Sequence, residues 1–201
     1  MPCLNPSIEQ DRTGRLTYRL NKTVVLVGMM GCGKTSVGRE LSRQLGVPFM
    51  DSDEEIVRAS SYEIPELFAR FGEIYFREKE TQVILRLLQD EPKILSTGGG
   101  AWMNHTNRLN INRDGLAVWL QADVPLLWSR VKGRTGRPLL QTENPYRTLA
   151  ELCESRNPVY ARAPVHVRAR PEDSVADTTG QVISELAKLN DILEESGERT
   201  G

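Results

Sequence analysis

Runs of apolar residues alternate with amphipathic stretches along most of the chain. TVVLV (23–27) is continuous and β-branched, the pattern of a strand buried on both faces. VPFM (47–50), KILST (93–97), LAVWLQA (116–122) and PVHVRA (164–169) predict four more strands. Val37, Leu41 and Leu45 recur at helical spacing and predict a helix over about 34–44. Further helices are predicted at 53–59, 64–71, 73–88, 104–111 and 124–131, then one carrying Leu149, Leu152 and Tyr160, and a last one over 174–194. Strand–helix alternation of this kind makes a parallel sheet with helices on both faces.

The period fails in KGRTGRPLLQTENPY (132–146), whose glycines, prolines and positive charges mark a lid over a site. The first 20 residues are polar and are expected to be a frayed lead-in; the acidic end DILEESGERTG reads as a helix end that frays. The expected organisation is an extension over 1–20 and a single domain over 21–195.

Composition narrows the classes. With 201 residues the chain can bury a sizeable core, and its net charge of −1 gives no reason to expect nucleic acid or a membrane as partner. No apolar run approaches the roughly 18 residues of a spanning helix. Three scattered cysteines without CxxC spacing suit a reducing cytoplasm rather than a disulfide framework or zinc site. The two histidines, His105 and His166, are far apart and read as ordinary core or surface residues.

GMMGCGKTS (28–36) follows a buried strand and precedes a helix, and fits G-x-x-x-x-G-K-[ST]. Gly31, Cys32, Gly33 and Ser36 would turn backbone N–H groups toward a phosphate chain at the positive end of the helix. Lys34 would meet the β- and γ-phosphates and Thr35 would hold magnesium. Cys32 is expected to serve as a small residue; a bulky adduct there would block nucleotide. No N-K-x-D segment for guanine is present, since NRDG (112–115) has the wrong residues.

Acids follow the second strand. Ligands gather beyond strand C-termini in parallel sheets, so Asp51 and Asp53 of FMDSDEEI should lie near the phosphates. One could hold magnesium and the other an acceptor hydroxyl; equally, Asp51, Asp53, Glu54 and Glu55 suit a helix N-terminus. Asp123 is a second possible metal-side acid, with an N-cap of the helix at 124–131 the favoured reading. Arg77 stands four residues after Glu73 and three before Glu80, as a surface ion pair or as a fork for an acceptor carboxylate. STGGGAW (96–102) adds a second glycine turn, where three glycines would let bare backbone approach the acceptor. Arg130, Arg134 and Arg137 lie in or beside the lid and Arg156 on the next helix, placed to neutralise charge during transfer.

Taken together, GMMGCGKTSVGRELS, DSDEEI, ELFARFGEIYFREKE, STGGGAW, GRPLL and SRNPVYARA resemble the shikimate kinases over about 23–163. The resemblance implies a three-layer α/β/α P-loop kinase fold with a five-stranded parallel sheet of order 2-3-1-4-5 and a mobile lid. It implies an ATP-dependent phosphotransferase with an alcohol acceptor, making shikimate 3-phosphate for aromatic amino acids, with magnesium, in a cytoplasmic monomer. By motif, Lys34, Asp53 and Arg137 become catalytic. Residues 31–36 with Arg130 and Arg137 become nucleotide-binding, and Thr35 and Asp51 metal-binding. Asp53, Arg77, Gly98, Gly99, Gly100 and Arg156 become acceptor-binding. RARPEDS (168–174) corresponds to an adenine-side loop without residue assignments. A kinase for another polyol acid such as gluconate, or a nucleotide-gated regulator, are the competing readings.

Overall fold

The computed structural model describes residues 17–133, 138–189 and 191–196. Its main sheet has five parallel strands: β2 (Thr23–Val27), β3 (Phe49–Asp51), β4 (Ile94–Ser96), β5 (Gly115–Gln121) and β6 (Val165–Arg168), in the order β3-β4-β2-β5-β6. Counted from β2, that is the expected 2-3-1-4-5. β2 lies centrally, with Val24 opposite both Ile94 and Leu116. All five of its residues are buried, which is why the segment reads as a continuous apolar run.

Helix α1 (Lys34–Leu45) presents Val37, Leu41 and Leu45 to the core. It packs with α7 (Val175–Leu186) over the sheet, while α3 (Ile64–Gln89) and α4 (His105–Asp114) pack together and α4 meets β5, giving three layers. α2 (Ser52–Ser60) begins immediately at the end of β3 and rests on α3. Gly72 breaks α3 with φ 79° and ψ 173°, so the two helical segments expected at 64–71 and 73–88 are both present. α5 (Val124–Val131) and α6 (Pro145–Tyr160) follow.

Three expectations need correction. The last helix ends at Leu186, not 194; a Ser174–Asp177 capping box starts it. Beyond it, β7 (Leu193–Ser196) pairs antiparallel with β1 (Thr17–Leu20), so 17–20 is a strand rather than a frayed lead-in, and 191–196 is a turn and strand rather than a fraying helix. The cause is apolar: Leu20, Ile192 and Leu193 are buried, and Asn21 N–H donates to Ile192 C=O at 2.9 Å. The region 132–146 is also less irregular than its composition implies, with a 3-10 turn at Pro138–Leu140 and α6 starting at Pro145 behind an Asn144 cap. Arg134 and Arg137 lie outside the described residues.

Candidate active site

The loop between β2 and α1 and the turn after β4 emerge at the same sheet edge because their strands are neighbours. Between them lies a cleft of about 450 Å³. Residues 30–36, Asp51, Asp53, 96–99 and Arg130 line it, and it extends to Asp173, Ser174, Val175 and Thr178. The glycine loop after β2 and the glycine turn after β4 therefore share one cavity. A groove of about 620 Å³ runs past Arg77, Glu73, Ile74 and Asn104, but contains none of the phosphate loop.

Lys34 Nζ donates to Gly28 C=O at 2.8 Å and Met29 C=O at 3.1 Å, which ties the ammonium to its own loop. Cys32 is buried in that loop, its Sγ 3.8 Å from Lys34 Nζ. Arg130 Nη1 donates to Gly31 and Cys32 carbonyls, both at 3.4 Å. Thr35 Oγ1 donates to Asp51 Oδ2 at 3.1 Å. A hydroxyl and a carboxylate converging in this way are hard oxygen donors of the kind magnesium takes in small number, leaving its other positions to phosphate and water.

Asp51 also caps α2, its Oδ1 accepting from Asp53 N–H at 3.0 Å, so the cap reading and the site reading hold together. Asp53 points inward. Its Oδ1 is buried with no hydrogen-bond partner among the described residues. Burial first, and then the charge of Asp51, raise its carboxyl to about 6 against the pull of Lys34 and Arg77.

Arg77 is held by Glu80 (Nη1 to Oε2, 3.0 Å) and Glu73 (Nη2 to Oε1, 3.2 Å) and stacks over Phe76 at 5.1 Å. Glu80 is 1% exposed, and burial pushes its carboxyl up to about 7 despite the guanidinium beside it. Sequence spacing marked Glu80 only as an ion-pair partner; its burial was not legible, because the groups it lies close to, Gly98 and Asp53, are far away in the chain.

Two of the three glycines, Gly98 and Gly100, stand where the backbone makes a close approach. A Cβ on Gly98 would lie 2.8 Å from Asp53 Oδ1, and one on Gly100 would lie 2.7 Å from Arg77 Nη1. The turn thus brings backbone against the carboxylate and the guanidinium at once. Arg156 Nη1 reaches Gly99 C=O at 3.4 Å. Two further contacts were missed: Ser52 Oγ accepts from Gly98 N–H at 3.3 Å, and the Tyr160 hydroxyl donates to Gly99 C=O.

Asp123 departs from expectation. It occupies the N-cap position of α5 but makes no side-chain cap bond, and its carboxylate pairs with Arg168 at 2.9 Å. It is absent from the cleft lining. His166 accepts the ordinary role assigned to it, with Nε2 2.9 Å from Ala163 C=O.

A family model described as shikimate kinase matches residues 30–187. A shikimate kinase from Cereibacter sphaeroides is 54% identical over 88% of this chain and 88% of that protein. One from Ruegeria pomeroyi is 50% identical over 87% and 90%. Among solved structures, a shikimate kinase from Acinetobacter baumannii in complex with shikimate is 38% identical, with a TM-score of 0.76, covering 84% of this chain and 94% of that one.

Proposed function

The chain belongs to the shikimate kinase family, and from that premise we propose how its residues divide the work. The reaction is ATP-dependent transfer of the γ-phosphoryl group to the 3-hydroxyl of shikimate, giving shikimate 3-phosphate and ADP on the route to aromatic amino acids. The observation that carries the residue assignment is Asp53, which lines the same cleft as residues 30–36 and whose buried Oδ1 is an acceptor without a partner among the described residues.

ATP enters with its phosphates on the N–H groups of 31–36 and the start of α1. Lys34 exchanges its loop carbonyls for phosphate oxygens. Arg130, with Arg137 from the lid, supplies further positive charge there. The 173–178 stretch borders the distal end of the cleft and takes the base side. Thr35 and Asp51 would hold magnesium, which when bound screens the phosphate charge.

Shikimate lies on the 98–100 turn. Arg77 and Arg156 receive its carboxylate, Arg77 as a fork already aimed by Glu73 and Glu80. Asp53 accepts a hydrogen bond from the 3-hydroxyl and takes its proton as the oxygen–phosphorus bond forms. The bond from the γ-phosphorus to the bridging oxygen breaks, and that electron pair leaves on ADP. A carboxyl raised to about 6 suits a base working near neutrality better than an ordinary aspartate.

All these groups come from one chain, so the monomer is the proposed working unit. Among the described residues no helix is long and apolar enough to cross a membrane, and Cys32 and Cys153 are free thiols, as a reducing cytoplasm would leave them. Phosphorus NMR of the product tests the reading: a single phosphate ester on the 3-oxygen is expected, and phosphorylation elsewhere on the ring would contradict the placement of Asp53.

A further inference from the structure

Helices α2 and α6 hold the acceptor turn by its backbone, and the Tyr160 hydroxyl of α6 has no part in the scheme above. Tyr160 is fully buried on the face of α6 that also carries Leu149 and Cys153. Its hydroxyl donates to Gly99 C=O, and the same oxygen lies 3.9 Å from Met29 Sδ on the donor loop. A Cβ built on Gly99 would lie 3.6 Å from Met30 N, 3.7 Å from Gly28 O and 3.9 Å from the Tyr160 hydroxyl. The middle of the turn therefore faces the donor loop and the Tyr160 hydroxyl together, with room between them for about one methyl group.

The ring itself cannot swing. It stacks on Trp119 with centroids 6.0 Å apart, and the neighbouring backbone is pinned where Trp102 Nε1 donates to Val159 C=O at 2.9 Å. A buried phenol needs a partner for its hydroxyl. Here the partner is a carbonyl of the acceptor turn, at the seam between the two glycine loops.

We propose that Tyr160 is a positioning residue for phosphoryl transfer, fixing the separation between the donor loop and the acceptor turn through Gly99. The inference rests on reading 98–100 as the shikimate side of the cleft. Tyr160 is fully buried and is not among the residues that line the cleft. It sets where the turn stands, and a small displacement of the acceptor oxygen from the γ-phosphorus is costly in rate. Arg156 shares the Gly99 carbonyl through a longer bond from a half-buried side chain; Ser52 holds the Gly98 N–H.

The test is Tyr160→Phe, which removes one oxygen and keeps the ring. Loss of a buried hydrogen bond should lower kcat/KM for shikimate about tenfold, while KM for ATP stays within about twofold. Deuterium uptake in a peptide spanning 96–103 should quicken in the absence of substrates. Unchanged kcat/KM for shikimate would overturn the proposal, and so would an equal rise in KM for both substrates, which marks general loosening. The unaltered protein in the same assay keeps the two levels apart. If it shows no shikimate-dependent turnover, the reading of the turn fails; if both proteins turn over equally, only the role of Tyr160 does.

Discussion

Replacing Asp53 with Asn should make the protein more stable at pH 8 while nearly abolishing turnover. Burial and Asp51 raise the Asp53 carboxyl from 3.8 to about 6. At about 1.36 kcal/mol per pKa unit, the folded state at pH 8 carries a penalty on the order of 3 kcal/mol for keeping this group ionised. The sign follows from proton counts. Between roughly pH 4 and 6 the native state holds more protons than the unfolded chain, so stability falls as pH rises through that window. The penalty is complete above the window and absent below it. Asparagine has nearly the same shape and no charge. Its advantage should be on the order of 3 kcal/mol at pH 8 and shrink toward zero near pH 4. Removing the Asp53 charge also relieves Glu80, whose carboxyl it helps to raise, and that acts in the same direction. Urea unfolding followed by tryptophan fluorescence at pH 8, 6 and 4.5 measures the difference. Turnover at pH 8 should drop by about 10²–10⁴, as loss of a general base does. An Asn variant less stable than the parent at pH 8, or a difference that ignores pH, would refute the account of this buried carboxylate.

Other substitutions test separate parts of the site. Arg77→Ala should raise KM for shikimate by roughly 10–100-fold, the size of a lost charge-assisted bond, with KM for ATP little changed; equal effects on both would remove Arg77 from the acceptor side. Gly98→Ala drives a methyl to 2.8 Å from Asp53 Oδ1, and should suppress turnover in a protein whose circular dichroism and ATP binding are retained. Thr35→Val removes the hydroxyl that meets Asp51 and should weaken magnesium-ATP binding more than metal-free ATP binding, as calorimetry with and without chelator will read. Leu193→Ala should cost about 2–3 kcal/mol in urea unfolding, because Leu193 is buried where β7 meets β1; a neutral result would mean the terminal strands add nothing to the fold.

Most of the sheet was legible because its strands carry their burial on their face: TVVLV and LAVWLQA are apolar but for Thr23 and Gln121, short and rich in β-branched or aromatic residues, as strands covered on both sides are. The kink at Gly72 was legible for the same kind of reason, since the helical pattern stops and restarts around a single glycine. The terminal strands were not. Thr17–Leu20 is short and mostly polar, and gains its buried leucine only by pairing with a segment more than 170 residues later. In the site, residues inside a local motif could be placed from spacing, Lys34 and Thr35 above all. Ser52, Glu80 and Tyr160 could not, because each is defined by a contact across the fold: Ser52 with Gly98, Glu80 beneath Arg77 and close to Gly98, Tyr160 with Gly99. Asp123 stands at the N-cap of α5 as its sequence context suggests, but a good cap sequence does not forbid a better side-chain partner, and Arg168 on the adjacent strand is one.

Coupled measurement of ADP release, with and without shikimate, tests most directly that a donor cradle and an acceptor turn work across one cleft. The account expects ADP release that depends on shikimate, saturates with it and nearly vanishes in its absence. Release at the same rate without shikimate, or no stimulation by it, would contradict the account.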